Sequence, residues 1–388
     1  MKILQVVGDS KFGGATYLLI EWCRFLVDNG SDVHVLSTDT KTIAELRKIP
    51  HISIVDWINI PRDVAPVKDG RALAQMWRLM QRECYDVVHT HTSTPGVLGR
   101  TAAWIANVPV RFHSAHGWPV TEFSGLKAKL LFTPLENLAA RLATRVICVS
   151  HAAIAQGARF HLAPTDKMVA VCNGIDPEPF LTPSLSASGR LRDELGLPAD
   201  ALIVGSCGRL AAQKDYPTLI RAMPFLKRLV DRPLFLALAG EGPDKHALQR
   251  LSQSLGLEDC VRFLGFREEV PEFLHGIDLF VSPSLWEGLS ISIMEAMAAG
   301  KPIVTTNIPP NAELIEDEIT GLLVPTRSPE ALACAIARLA NDPKLATDCG
   351  SAARRRLLER YTIKTMLAKQ WQLYLKLTEK NCLEVAIA

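Results

Sequence analysis

Two glutamates eight positions apart, Glu287 and Glu295, lie in the stretch of this chain best suited to chemistry, Ser282-Pro283-Ser284-Leu285-Trp286-Glu287-Gly288-Leu289-Ser290-Ile291-Ser292-Ile293-Met294-Glu295. A strand ending at Pro283, a Glu-Gly turn and a following helix bring both carboxylates toward one site, because eight residues is a little over two helical turns. Such a pair also arises as a helix cap plus one solvated charge. The flanking residues favour a site: Ile293, Met294 and Met297 supply a buried face, and Ala296, Ala298 and Ala299 keep the helix thin enough to lie against a sheet or ligand.

A second segment, Gly205-Ser206-Cys207-Gly208-Arg209-Leu210-Ala211-Ala212-Gln213-Lys214-Asp215, follows one strand and precedes a helix. Arg209 as a planar fork and Lys214 as a point charge can converge on a diphosphate, although loop cations are commonly just solvated. The glycines of Ala239-Gly240-Glu241-Gly242-Pro243 fit a strand terminator equally well. In the first loop, Gly8-Asp9-Ser10-Lys11-Phe12-Gly13-Gly14-Ala15-Thr16, Gly13 and Gly14 either let backbone and a helix N-terminus approach an anion or only permit tight strand-to-helix packing. Gly14 stands where a P-loop needs lysine, and there is no Gly-x-Gly-x-x-Gly fingerprint, which counts against a kinase, an ATPase and a dehydrogenase.

Histidines 89, 91, 113 and 116 cluster near strand ends, with His89 and His91 on one strand face. A metal site competes with hydrogen-bonded structural histidines. No cysteine sits beside them at a ligand spacing, and Asp86 points to the other strand face. No Asp-x-Asp triplet occurs, so no metal and no other cofactor is expected.

The elements that must position these residues alternate between short Val/Ile/Leu runs and longer amphipathic segments, the pattern of parallel strands covered by helices. Strands are expected at 3–7, 32–37, 52–56, 86–91, 110–114, 145–150 and 168–173, then at 202–207, 234–239, 261–266, 278–281 and 302–306. The turn-forming, charged stretch 181–200 marks a joint between two Rossmann-like halves, and from Ser328, a plausible N-cap before Pro329 and Glu330, the chain reads as mostly helix to Leu377. Chemistry belongs at the carboxyl ends of the strands, where the motifs fall.

With 388 residues the chain is long enough for two domains, and 43 basic against 41 acidic residues give a net charge of +2, with no global case for nucleic acid. Nine scattered cysteines without a Cys-x-x-Cys spacing point to a reducing compartment. The apolar start meets Asp9 too soon for a secretory segment, and no apolar run approaches the roughly 18 residues that span a bilayer. A cytoplasmic protein, at most peripheral on a membrane, is expected.

Taken in order, the Gly13-Gly14 loop, Val88-His89-Thr90-His91, His116-Gly117, Asn173-Gly174-Ile175-Asp176, Gly208-Arg209-Leu210 with Gln213-Lys214, Gly240-Glu241-Gly242-Pro243, Phe263-Leu264-Gly265 and the Glu287/Glu295 pair resemble the retaining glycosyltransferases of family 4. The resemblance covers nearly the whole chain. It implies the α/β GT-B fold, two facing Rossmann-like domains with a central cleft: 1–180 binding the acceptor, 181–360 binding the nucleotide sugar, and a C-terminal helix, 361–388, packing back on the first. It implies that Arg209 and Lys214 hold the donor diphosphate with Gly13 and Gly14 opposite, and that Glu287 contacts the sugar hydroxyls and Glu295 the ribose. Gly288, Leu289 and Ser290 would face sugar and phosphates, Phe266 and Arg267 would border the base, and His116 would lie beside the transferred sugar. The catalytic set is then His116, Glu287, Arg209 and Lys214, acting by positioning and electrostatics. UDP is the donor nucleotide expected. Loop placement of Glu287 predicts that its replacement spares folding.

Three departures bear on loop shape. Pro309-Pro310-Asn311-Ala312 replaces a glycine pair and stiffens that loop, Asp215 replaces a glycine after Lys214, and Cys172 replaces the usual residue before Asn173. The acceptor, a glycan, lipid-linked or small molecule, should meet the first domain near Gly13, 113–121 and 124–145. The last region mixes Leu126, Leu130, Leu131 and Phe132 with Lys127, Lys129, Arg141 and Arg145, which suits either an interfacial helix or a core helix with a basic edge. Rival readings are a nucleotide-sugar 2-epimerase, a phosphorylase, for which no dedicated lysine motif is visible, and a non-catalytic nucleotide-sugar-binding subunit. Oligomeric state leaves no trace in the sequence.

Overall fold

The computed structural model describes residues 1–8, 13–61, 65–182 and 187–387, with side chains for all of these except 187–189 and 380–387. Asp9, Ser10, Lys11 and Phe12 of the first glycine loop and Pro183, Ser184 and Ser186 of the expected joint lie outside it. The chain divides into two compact units, Met1–Asn173 with Lys364–Ala388, and Gly174–Ile363.

The first unit holds seven parallel strands, β1 (Lys2–Gly8), β2 (Asp32–Ser37), β3 (Ile52–Val55), β4 (Val87–His91), β5 (Val110–Ala115), β6 (Arg145–Cys148) and β7 (Met168–Ala170), in the order β3-β2-β1-β4-β5-β6-β7. Both faces of β1 are buried, which is why Ile3-Leu4-Gln5-Val6-Val7 is a nearly continuous apolar run. One face packs Leu4, Val6 and Val88 on Ala72, Met76 and Met80 of the helix Pro66–Glu83. The other face meets the helices Gly14–Asp28 and Ile363–Ile387, where Tyr374 stacks on Phe112 at 4.5 Å and lies edge-on to Trp22 at 5.1 Å.

The second unit holds β8 (Leu202–Cys207), β9 (Leu234–Ala239), β10 (Val261–Gly265), β11 (Leu279–Ser282), β12 (Ile303–Thr306) and β13 (Leu322–Val324), all parallel, in the order β10-β9-β8-β11-β12-β13. Its core joins Val204, Leu236 and Val281 to Leu219 and Met223 of the helix Tyr216–Leu226 and Leu332 and Ile336 of the helix Pro329–Asn341. In both sheets the strand order reverses beside the first strand, between β1 and β4 and between β8 and β11. Loops leaving such neighbours diverge and leave a crevice at the carboxyl ends.

The division falls at Asn173/Gly174, ahead of the 180/181 joint read from composition, and the terminal helix Ile363–Ile387 belongs, from Lys364 on, to the first unit. The chain enters and leaves the second unit side by side: Ile175 N–H donates to Tyr361 O at 3.0 Å and Ile363 N–H to Ile175 O at 2.7 Å. Gly174 permits this, since a Cβ there would sit 2.2 Å from the Thr362 carbonyl oxygen. The Pro309-Pro310 segment is the start of a helix, Pro309–Leu314, where the missing N–H groups cost nothing. Ser328 does precede the helix Pro329–Asn341, but its side chain makes no capping bond.

Candidate active site

In the second unit the loops after β8 and β9 are locked together by backbone. Gly208 N–H donates to Ala239 O and Leu210 N–H to Glu241 O, both at 3.0 Å. A Cβ on Gly240 would lie 1.9 Å from Gly208 O, and one on Gly242 would lie 2.2 Å from Leu210 O. These glycines therefore do more than end a strand: they fix the loop that carries Arg209. Gly208 and Gly240, at φ +150° and +148°, also occupy backbone that a side chain would strain.

The same loop continues through a turn of 3₁₀ helix, Ala212–Lys214, into the helix Tyr216–Leu226. Between them Asp215 stands at φ +46°, ψ +42°, a left-handed position that explains why glycine suits it and why aspartate is tolerated. Its carboxylate accepts from Thr218 Oγ at 2.7 Å. Lys214 Nζ is thereby aimed at Glu287 Oε1, 2.5 Å away, with 16% and 7% of the two side chains exposed. Ser284 Oγ donates to the same oxygen at 2.8 Å and Gln213 Nε2 to Oε2 at 3.0 Å. Leu285 N–H also donates to Gln213 O at 2.8 Å, so the loops after β8 and β11 hold each other across the reversal of strand order.

Glu287 is accordingly not a free loop carboxylate. Three donors share its two oxygens, and removing it leaves Lys214 nearly buried without its partner, so its replacement bears on stability as well as chemistry. Arg209, in contrast, is exposed and makes no hydrogen bond or ion pair among the described residues. Glu295, one turn into the helix Ile291–Ala298, is part-buried beside Cys207 and Lys214. Burial pushes its carboxyl up to about 7, against the pull of Lys214. Leu289 and Ser290 are buried, and Ser290 Oγ caps that helix by accepting from Ile293 N–H at 3.4 Å. Gly288 is half-buried in the preceding turn. Phe266 is 63% exposed just past β10, while Arg267 turns to Glu194, its Nη1 donating at 3.0 Å.

In the first unit Gly13, in extended backbone, caps the helix that Gly14 opens, and both glycines are exposed. The four histidines engage protein groups. His89 bonds Tyr374 Oη at 2.6 Å and Ser114 Oγ at 2.8 Å; His91 bonds Gln5 Oε1 at 2.9 Å and His116 Nε2 at 3.1 Å. His113 bonds Thr90 Oγ at 3.0 Å, and its Nε2 lies 3.7 Å from Glu136. Desolvation drives all four rings toward the neutral form, His89 down to about 3 and His116 to about 4. Glu136 forms a buried pair with Arg100 at 2.7 Å and so anchors the helix Leu126–Leu142. The outer side of that helix is apolar: Leu126, Leu130 and Leu138 are 72%, 69% and 62% exposed, beside exposed Lys127 and Arg141. The helix meets the core through Glu136, Ala139 and Ala140, with Phe132 packed against the cluster of Ala140 and Val146, and not through these three leucines.

Gln5, Tyr374, Ser284 and the role of Gln213 were not assigned from sequence. Gln5 left a trace, a single polar residue in a buried apolar run; Tyr374 left none, since only the packing of the terminal helix brings it to His89.

The family model described as Glycosyltransferase Family 4 matches residues 12–179, and the one described as Glycosyl transferases group 1 matches residues 188–356. The chain is 29% identical over 317 residues, 81% of each protein, to the UDP-Gal:alpha-D-GlcNAc-diphosphoundecaprenol alpha-1,3-galactosyltransferase of Escherichia coli. It is 24% identical to the capsular polysaccharide biosynthesis glycosyltransferase CapM of Staphylococcus aureus, over 93% of each. The solved structure of Anabaena Alr3699/HepE in complex with UDP-glucose matches with a TM-score of 0.84 at 25% identity, over 97% of this chain and 100% of that one. With two Rossmann-like parallel sheets, reversed strand order beside β1 and β8, and both halves matched, the chain belongs to glycosyltransferase family 4 and has the GT-B fold.

Proposed function

We propose that the protein transfers a sugar from a UDP-sugar to a lipid-linked glycan acceptor, retaining the anomeric configuration and using no metal ion, in the synthesis of a surface polysaccharide or glycoconjugate. The observation that carries this reading is the loop pair after β8 and β11. There Arg209 stands exposed without a partner among the described residues, while Lys214, tied to Glu287, presents a second cation beside it in the sequence of the same loop. Departure of a nucleoside diphosphate builds negative charge, and a guanidinium fork plus an ammonium stabilise it electrostatically. The bond from the sugar's anomeric carbon to the β-phosphate oxygen breaks, the acceptor oxygen bonds that carbon on the same face, and the acceptor's proton passes to the departing phosphate. Glu287 orients sugar hydroxyls, Glu295 takes the ribose, and backbone at Gly288, Leu289 and Ser290 lines the sugar. Gly13 and Gly14 serve the diphosphate, Phe266 and Arg267 the base, and His116 the transferred sugar.

Uridine is favoured because the Escherichia coli relative is named for UDP-Gal and HepE was solved with UDP-glucose. A lipid-linked acceptor is favoured by the diphosphoundecaprenol in that relative's name and by the exposed leucines of the helix Leu126–Leu142. No helix among the described residues is long and apolar enough to cross a membrane. The leucines with Lys127 and Arg141 suit the plane of an anionic bilayer surface, here the inner face. The test is a thermal-shift screen against UDP, GDP, ADP and their sugars in EDTA, followed by assignment of the product anomer by NMR. A shift confined to the uridine series and a product of unchanged configuration support the reading; a shift confined to another base, or an inverted product, refutes it.

A further inference from the structure

We propose that Gln5 and His91 are positioning residues that set the tautomer of His116, leaving its Nδ1 as a bare acceptor for a hydroxyl of the transferred sugar. This rests on the sugar-binding role given to His116 above and names the residues that prepare it. Gln5 on β1, His91 on β4 and His116 just past β5 come from three adjacent strands. The register pairs Gln5 with His89 and His91 with Ser114, and strand alternation turns Gln5, His89, His91 and Ser114 to one face.

The protons follow from bonding capacity. Gln5 Oε1 can only accept, so His91 Nε2, 2.9 Å away, carries the hydrogen. A neutral imidazole has one N–H, so His91 Nδ1 is bare. His116 Nε2, 3.1 Å from it, must then donate, and His116 Nδ1 is left without a proton. That Nδ1 is buried and has no hydrogen-bond partner among the described residues, so the atom on which the relay ends is a lone pair awaiting a donor. Both rings are neutral near pH 7, since burial holds His116 at about 4 and His91 well below the ordinary histidine value. The groups around His91 reinforce this: the His89 ring lies 4.3 Å from it, and His89, His113 and His116 all disfavour a charge there.

A bare nitrogen accepts from a hydroxyl and rejects an acceptor-only oxygen such as that of a phosphate, whereas the opposite tautomer would present an N–H that donates to either. The relay thus decides which kind of group His116 selects, because a buried polar atom facing the wrong partner stays unsatisfied. Gln5 is fully buried, with its Oε1 on His91 Nε2 at 2.9 Å, while its Nε2 has no hydrogen-bond partner among the described residues.

The test is a long-range proton–nitrogen NMR spectrum of the full-length protein labelled with ¹⁵N-histidine, recorded on wild type, Gln5→Leu and Gln5→Glu. The expected wild-type spectrum has His116 protonated at Nε2 and His91 at Nε2. Gln5→Leu should mix the His116 tautomers and lower kcat/KM for the donor by about tenfold, while Gln5→Glu, which keeps an acceptor toward His91, should restore both. A wild-type His116 protonated at Nδ1, or an unchanged tautomer in Gln5→Leu, overturns the proposal. If Gln5→Leu does not fold, the wild-type and Gln5→Glu spectra still decide. The spectra need no substrate, so the tautomer assignment stands or falls apart from the donor reading, which the turnover arm tests.

Discussion

Removing the ammonium of Lys214 strands the Glu287 carboxylate, and the structure sets the size of the effect. The pair is 2.5 Å apart with 7% of the glutamate side chain exposed. Breaking a buried pair by deleting one member costs about 3–5 kcal/mol. The lower end applies, since Ser284 and Gln213 still donate to the carboxylate in Lys214→Met. About 3 kcal/mol in a unit of this size is a fall of roughly 6–12 °C in melting temperature. Glu287→Gln should cost less, because an amide still accepts from Lys214 or Ser284. The double variant should recover much of the loss, since neither charge is then orphaned, giving a coupling energy on the order of 1–3 kcal/mol. The assay is a double-mutant cycle by scanning calorimetry without ligand, which keeps stability apart from donor binding. A Lys214→Met melting point within about 2 °C of wild type, or strictly additive losses in the double variant, would refute the argument that this pair fastens the β8 and β11 loops.

Arg209→Ala should leave the melting point unchanged, because the side chain is exposed and unpaired among the described residues, yet lower kcat about 100-fold; steady-state kinetics at saturating acceptor would read it, and a loss under fivefold would remove Arg209 from the diphosphate. Glu295, raised from 4.5 to about 7, binds more protons folded than unfolded, so its stabilising contribution is complete below about 4.5 and is lost as pH rises through about 7. Glu295→Gln should therefore stabilise the protein at pH 8 by on the order of 2 kcal/mol, with no gain at pH 4; melting curves at both pH values would show the sign. Replacing Leu126, Leu130 and Leu138 together by Ser should leave the melting point unchanged and abolish co-sedimentation with vesicles containing anionic lipid; undiminished pelleting would assign membrane contact elsewhere. Transfer should persist in excess EDTA, and activity lost to EDTA and restored by magnesium would overturn the metal-free proposal.

Much of the fold was legible because parallel strands buried on both faces write themselves as apolar runs. The strands at 32–37, 202–207 and 234–239 were read to the residue. Ends were less legible: β7 stops at Ala170, although Val171 and Asn173 still donate to Cys148 and Val149, and β13, three residues long, was not read at all. At the site, Arg209, Lys214, Glu287 and Glu295 stood out because loop chemistry has spacing. Which of them pair did not, because Lys214 and Glu287 are 73 residues apart and meet only through the neighbouring of β8 and β11.

By itself the sequence determined the alternating strands and helices, the glycines at strand ends and the charged residues that follow them. These are properties of short segments, set by burial period and backbone freedom. Only the tertiary structure decided that Glu287 is held by three donors, that Glu295 is desolvated while Arg209 is not, and that Gln5, His91 and His116 share one line of hydrogen bonds. Desolvation and hydrogen-bond direction depend on every neighbour a group has, and those neighbours are assembled from strands far apart in the chain.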